Sequence, residues 1–130
     1  MVYPRGTDMD QINHHMKPET LAAAIRNEDF HEKTVIVDVR DVDFDLFQIT
    51  NRARHIPQRN MHPESFLQTI PSSVEQIVFY CAAGQLRSPK CQKLLSDSLH
   101  SLNRSELKVY YLQGGLTRFA ELYNDLCVYT

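Results

Sequence analysis

The richest chemistry in this chain lies in one segment, YCAAGQLRSPK at residues 80–90. Cys81 is followed by five residues, then Arg87 and Ser88. Ala82, Ala83 and Gly84 are small, so the backbone after Cys81 can curl and turn its amides inward. Converging amides ahead of a helix N-terminus make an anion site. Arg87 adds a guanidinium fork that suits the paired oxygens of a tetrahedral oxyanion. The same positive field favours the thiolate of Cys81, and the Ser88 hydroxyl is placed to donate to the sulfur. The pattern therefore points to a nucleophile, Cys81, beneath an oxyanion held by Arg87, by Ser88 and by the amides of Ala82, Ala83, Gly84, Gln85, Leu86 and Arg87. The competing reading makes Cys81 a core cysteine at a strand end and Arg87 a surface cation.

Such a loop needs a strand before it and a helix after it, and the neighbouring sequence supplies both. QIVFYC (76–81) is an apolar run of strand length, and SPKCQKLLSDSL (88–99) has Cys91, Leu94, Leu95 and Leu99 on one helical stripe. TVIVDV (34–39) and KVYYL (108–112) are further strands, and RHIP (54–57) is a short, weaker one. Helices are predicted over 17–26, 62–70 and 116–123; Pro18 and Pro63 sit in first-turn positions and Gly114 and Gly115 turn the chain into the last. Strands alternating with helices, with apolar residues on both strand faces, predict α/β architecture: a mostly parallel central sheet with helices on both faces. Ligands of open parallel sheets bind beyond the carboxyl ends of the strands, where Cys81 falls.

Other reactive groups are weaker candidates. Asp41, Asp43 and Asp45 alternate as in a calcium loop, but the sixth and twelfth positions are Leu46 and Arg52, where that loop wants Gly and Glu. They follow the 34–39 strand, so one of them is a candidate general acid, with a solvated face as the competing reading; the 81–87 loop contains no carboxylate of its own. Cys91 reads as a packed core residue, with a resolving thiol as the sharper alternative, and Cys127 as packing. His14, His15, His55 and His62 have no metal-ligand spacing, and no cysteine pair forms Cys-x-x-Cys, so no metal is expected. Arg52, Arg54, Arg59, Lys90 and Lys93 can rim a cleft and attract phosphorylated substrates, or be scattered surface charges.

The 130 residues make one domain, 1–130, long enough for a full core without staples. Hydrophobic residues are 42% and charged residues 23%, a globular rather than disordered balance. A net charge of −2 gives no domain-wide field for nucleic acid or anionic lipid. Three cysteines are too few for a disulfide scaffold. The opening MVYPRGTDMD has no secretory pattern, and no apolar run approaches a membrane span of about 18 residues. The expectation is a monomer in a reducing compartment, without nucleic-acid or membrane partners.

Taken in order, VIVDVRD (35–41), ARHIP (53–57), IVFYCAAGQLR (77–87) and VYYLQGGLTRF (109–119) resemble the motifs of rhodanese-like domains. The likeness spans about residues 17–123. It implies the rhodanese fold, with Asp38 and Arg40 as a structural pair and His55 in a structural role. Within that fold a Cys-x5-Arg loop resembles the M-phase inducer phosphatases and the small eukaryotic arsenate reductases; sulfurtransferases carry a loop one residue shorter. The chain departs from the phosphatases at Tyr80, where they have His, and at Val39, where they have a back-door cysteine. Arg54 replaces the first Gly of Gly-His-Ile-Pro. The resemblance implies a cytoplasmic or nuclear cysteine-dependent phosphatase of protein tyrosine or dual-specificity type. Its substrate would be a phosphorylated protein or small oxyanion. The alternative is an arsenate reductase supplied by glutathione and glutaredoxin. Thiosulfate sulfurtransfer and non-catalytic phosphate binding rank below both.

Overall fold

The computed structural model describes residues 14–129. The opening MVYPRGTDMD segment lies outside the described residues. Five parallel strands form the central sheet in the order β1-β6-β5-β2-β4: β1 (His15–Met16), β2 (Thr34–Asp38), β4 (Arg54–His55), β5 (Gln76–Tyr80) and β6 (Lys108–Leu112). A second, antiparallel pair joins β3 (Phe47–Gln48) to β7 (Val128–Tyr129).

Strand alternation sorts the core into two layers. Val35, Val37, Ile77, Phe79 and Val109 enter one cluster with Phe66, Leu67, Cys91 and Leu95. Ile36, Val78, Tyr80, Tyr110 and Leu112 enter the other with Leu21, Phe30, Leu116 and Phe119. The first layer is thus covered by α3 (Pro63–Gln68) and α4 (Arg87–Ser98). The second is covered by α1 (Pro18–Ile25), α2 (Glu28–Lys33) and α5 (Gly115–Tyr123). Burial on both sides explains why β2 and β5 read as continuous apolar runs rather than alternating ones.

Three differences from the sequence expectation have physical causes. α2 carries one buried apolar residue, Phe30, too few for a periodic stripe; its start is set by Asn27, whose side chain accepts from the Asp29 amide. β3 and β7 are two-residue strands that exist only through their mutual pairing. On α4 the buried stripe is Ser88, Cys91, Gln92 and Leu95, and Leu94 turns outward.

The parallel registers bring the strand ends level. Asp38 pairs with Tyr80, and Phe79 with Tyr111. The segments leaving β2, β5 and β6 therefore meet at one edge of the sheet. They are the 39–46 segment, the 81–87 loop and the Gly114–Gly115 turn.

Candidate active site

The floor of the loop is set by backbone, not side chains. The Leu116 amide donates to the Cys81 carbonyl and the Thr117 amide to the Ala82 carbonyl, both at 2.9 Å. In a trans peptide the next N–H points opposite to the carbonyl. Tying those two carbonyls to α5 therefore aims the amides of Ala82 and Ala83 away from it. Among the described residues no backbone carbonyl accepts from the amides of Ala82, Ala83, Gln85 or Leu86, so these donors are available to a ligand. Gly115 makes this contact possible: a Cβ there would lie 2.5 Å from both tied carbonyl oxygens. Gly84, at φ +68°, takes the left-handed turn, and its own Cβ would meet the Leu112 carbonyl oxygen at 2.7 Å.

Cys81 Sγ sits at the centre of this cradle. The Gly84 amide donates to it at 3.3 Å, and Ser88 Oγ lies 3.2 Å away. Ser88 is fully buried and Cys81 is 2% exposed, so the sulfur is reached only from within the loop mouth. α4 begins directly behind it, and Leu86 at its N-cap provides no side-chain cap, which leaves the helix N-terminus facing the loop.

Arg87 is held by Asp43. Nη1 and Nη2 each donate to one Asp43 carboxylate oxygen at 2.7 Å. Those hydrogen bonds hold the Asp43 carboxyl far below the usual carboxylate range. Asp43 is thus ionised at neutral pH and has no proton to lend in this arrangement. Asp41 pairs with Arg59, and Asp45 accepts from Arg40 at 3.3 Å and from the Phe47 amide at 3.0 Å. All three aspartates of the alternating run therefore have arginine partners.

The pair implied by Asp38-Val39-Arg40 is present and buried. Arg40 donates to both Asp38 oxygens, the shortest contact being 2.7 Å, and reaches the Phe47 carbonyl at 3.0 Å. Its guanidinium also lies over the Phe44 ring, which stacks on His55 with centroids 3.7 Å apart, and the His55 ring nitrogen meets the Arg40 carbonyl at 2.7 Å. This network shapes the segment that presents Asp43 to Arg87.

Tyr80 and Cys81 enter opposite core layers, so the Tyr80 ring lies across the sheet from the sulfur. Burial and the neighbouring Asp38 carboxylate push the Tyr80 hydroxyl well above its ordinary range. Cys91 is buried in the same layer as Cys81, and burial, with Cys81 nearby, pushes its thiol up to about 12. It is a core thiol rather than a ready nucleophile. Cys127 lies in the other layer, also raised by burial. Among the described residues no cluster of three or more His, Cys, Asp or Glu side chains is placed to hold a metal ion, and no helix is long and apolar enough to cross a membrane. Sequence reasoning missed the clamp from Gly115, Leu116 and Thr117; the Gly-Gly pair after a strand was its visible trace.

The sequence profile of the rhodanese-like domain matches residues 17–122. The chain belongs to the rhodanese-like domain family. No curated protein matches it. Among solved structures, this rhodanese-like domain is similar to the As-Sb reductase from Leishmania major. That match has 28% identity and a TM-score of 0.77, covering 85% of this chain and 79% of the other. It also resembles Ygr203w, a yeast protein tyrosine phosphatase of the rhodanese family, at 21% identity and a TM-score of 0.62, covering 85% and 86%. A thiosulfate sulfurtransferase from Pseudomonas aeruginosa matches at 19% identity and a TM-score of 0.59, covering 92% of this chain and 21% of that one. The last two likenesses speak to fold alone.

Proposed function

We propose that this rhodanese-like domain is a cysteine-dependent phosphatase of protein tyrosine or dual-specificity type. The observation that carries the reading is Cys81 Sγ at the centre of a seven-residue loop, bonded by the Gly84 amide and Ser88, with neighbouring amides free to take oxyanion oxygens. The Cys81 thiolate attacks phosphorus and the P–O bond to the leaving group breaks, giving a phosphocysteine. Arg87 and the amides hold the three equatorial oxygens, whose charge is what needs stabilising. Water then attacks phosphorus, releases phosphate and returns the thiolate. The loop supplies the electrostatics, so the scheme uses no metal. The enzyme acts as a cytoplasmic or nuclear monomer.

Arsenate reduction is the second reading, favoured by the 28% identity to an As-Sb reductase. There Cys81 displaces water from arsenate, and thiols supply two electrons to arsenic and leave as a disulfide. Glutathione and glutaredoxin would be the reductants. The test is a side-by-side assay with an aryl phosphate, with arsenate plus glutathione and glutaredoxin, and with thiosulfate plus cyanide. Phosphate release exceeding the other two supports the phosphatase. Arsenite production without phosphate release selects the reductase. Efficient persulfide formation on Cys81, a gain of about 32 Da, would overturn both in favour of sulfurtransfer.

A further inference from the structure

An open groove of about 760 Å³ runs from the outer side of the loop along α4. Gln85, Leu86 and Arg87 form its end at the active site, and Pro89, Lys90, Lys93 and Leu94 continue it. Volumes of roughly 300–1,000 Å³ hold ligands far larger than a lone tetrahedral anion. An arsenate or phosphate ion fills only the loop, so the groove has no work to do for either ion alone. Its apolar wall is made by Leu86, Pro89 and Leu94, and both leucines are surface residues: Leu86 is 80% exposed and Leu94 42%. Single exposed leucines are ordinary, but leucines and a proline gathered around a concavity beside a buried nucleophile make a contact surface. The charge is as informative. Lys93 is paired with Asp97, whereas Lys90 forms no ion pair among the described residues and stands at the groove as a spare cation.

We propose that this groove binds the peptide flanking a phosphorylated residue. It would seat an apolar side chain against Pro89 and Leu94 and an acidic side chain at Lys90, while the phosphate sits over Cys81. Gln85, Leu86 and Arg87 belong both to the loop and to the groove lining, so the two subsites adjoin. The recessed sulfur favours a phosphate on a long side chain, and phosphotyrosine is the natural probe.

The proposal rests on the phosphatase reading for its phosphate anchor, and a binding measurement separates the two. Protein carrying Cys81→Ser is titrated by fluorescence anisotropy with a labelled nonapeptide holding phosphotyrosine, an adjacent leucine and a glutamate within three residues. Adding Lys90→Glu should weaken binding about tenfold, since a pair is lost and a repulsion gained. Adding Leu94→Ser should weaken it about fivefold through lost apolar contact. Protection of Cys81 by inorganic phosphate against iodoacetate, measured with the cysteine intact, should be unchanged in Leu94→Ser, which keeps every charge. Lys90→Glu should recover the lost affinity when the peptide glutamate is replaced by lysine. Equal peptide affinity in all three proteins, or no affinity beyond that for inorganic phosphate, overturns the groove. Displacement of the peptide by glutathione at equal or lower concentration would assign the groove to a reductant and also overturn it. Binding in the expected pattern, with no phosphate released by the intact enzyme, keeps the groove and overturns the phosphatase.

Discussion

Two segments meet over Cys81, and they are held by different forces. The 81–87 loop is fixed by backbone: carbonyls tied to α5, a left-handed Gly84, and a Gly115 that admits the close approach. The 39–46 segment is fixed by side-chain ion pairs, buried at Asp38–Arg40 and partly exposed at Asp43–Arg87. Backbone contacts under a buried floor have one arrangement. A half-exposed ion pair is worth little on balance and can be exchanged for another anion. The loop is thus tied by backbone and the arm by an exchangeable ion pair; under the proposed function an incoming oxyanion would compete with Asp43 for the Arg87 fork.

The most damaging single change falls at the centre of the cradle. Cys81→Ser should lower turnover by at least about 10³-fold while retaining oxyanion binding, because the amides and Arg87 remain. Retention of more than about a tenth of wild-type turnover would remove Cys81 from the nucleophile's role.

Next in size is the clamp. Gly115→Ala forces a methyl group to within 2.5 Å of two backbone carbonyls, so the loop must shift. A displacement of about 1 Å costs on the order of 10²-fold in kcat/KM. Gly114→Ala is strained as well, at φ +79° with its added carbon 2.5 Å from the Arg118 Cβ, but it touches neither tied carbonyl and should cost less. A Gly115→Ala enzyme as active as wild type would show that the clamp does not position the loop.

The arm should respond in the opposite direction. Asp43→Asn removes the bidentate charge partner of Arg87, and inorganic phosphate should then inhibit about two- to fivefold more strongly. A general-acid role for Asp43 demands something else: alkyl phosphates impaired by roughly 10²–10⁴-fold with nitrophenyl phosphate spared. Comparing both phosphate classes in Asp41→Asn, Asp43→Asn and Asp45→Asn assigns the acid, or moves it to the substrate.

The smallest effect concerns the second buried cysteine. The folded Cys91 thiol holds its proton to about 12, against an ordinary 9.0 that the unfolded chain would show. Between those values the unfolded state ionises and the folded state does not, so stability should fall as pH rises from about 9 towards 12. Denaturant titrations across that range should show a shallower fall for Cys91→Ala. At neutral pH iodoacetate should label Cys81 and leave Cys91 unlabelled until the protein unfolds.

The long strands, the main helices flanking them and the Cys81–Arg87 spacing can be read from the residues alone, and the family resemblance implied the Asp38–Arg40 pair. Each is a local pattern: a β-branched run, a proline at a first turn, a motif a few residues long. Cys91 was legible as core because it stands on a helical stripe; Leu94 was misread on that stripe because a shift of part of a turn decides which side faces the sheet. What surrounds the cysteine is set by long-range packing. Asp43 and Arg87 are 44 residues apart, and Gly115 reaches Cys81 across 34. Such contacts depend on parallel strand register, which brings the ends of β2, β5 and β6 level at one sheet edge. No local periodicity encodes that alignment, because the pairing is settled by long-range burial on both faces of the sheet.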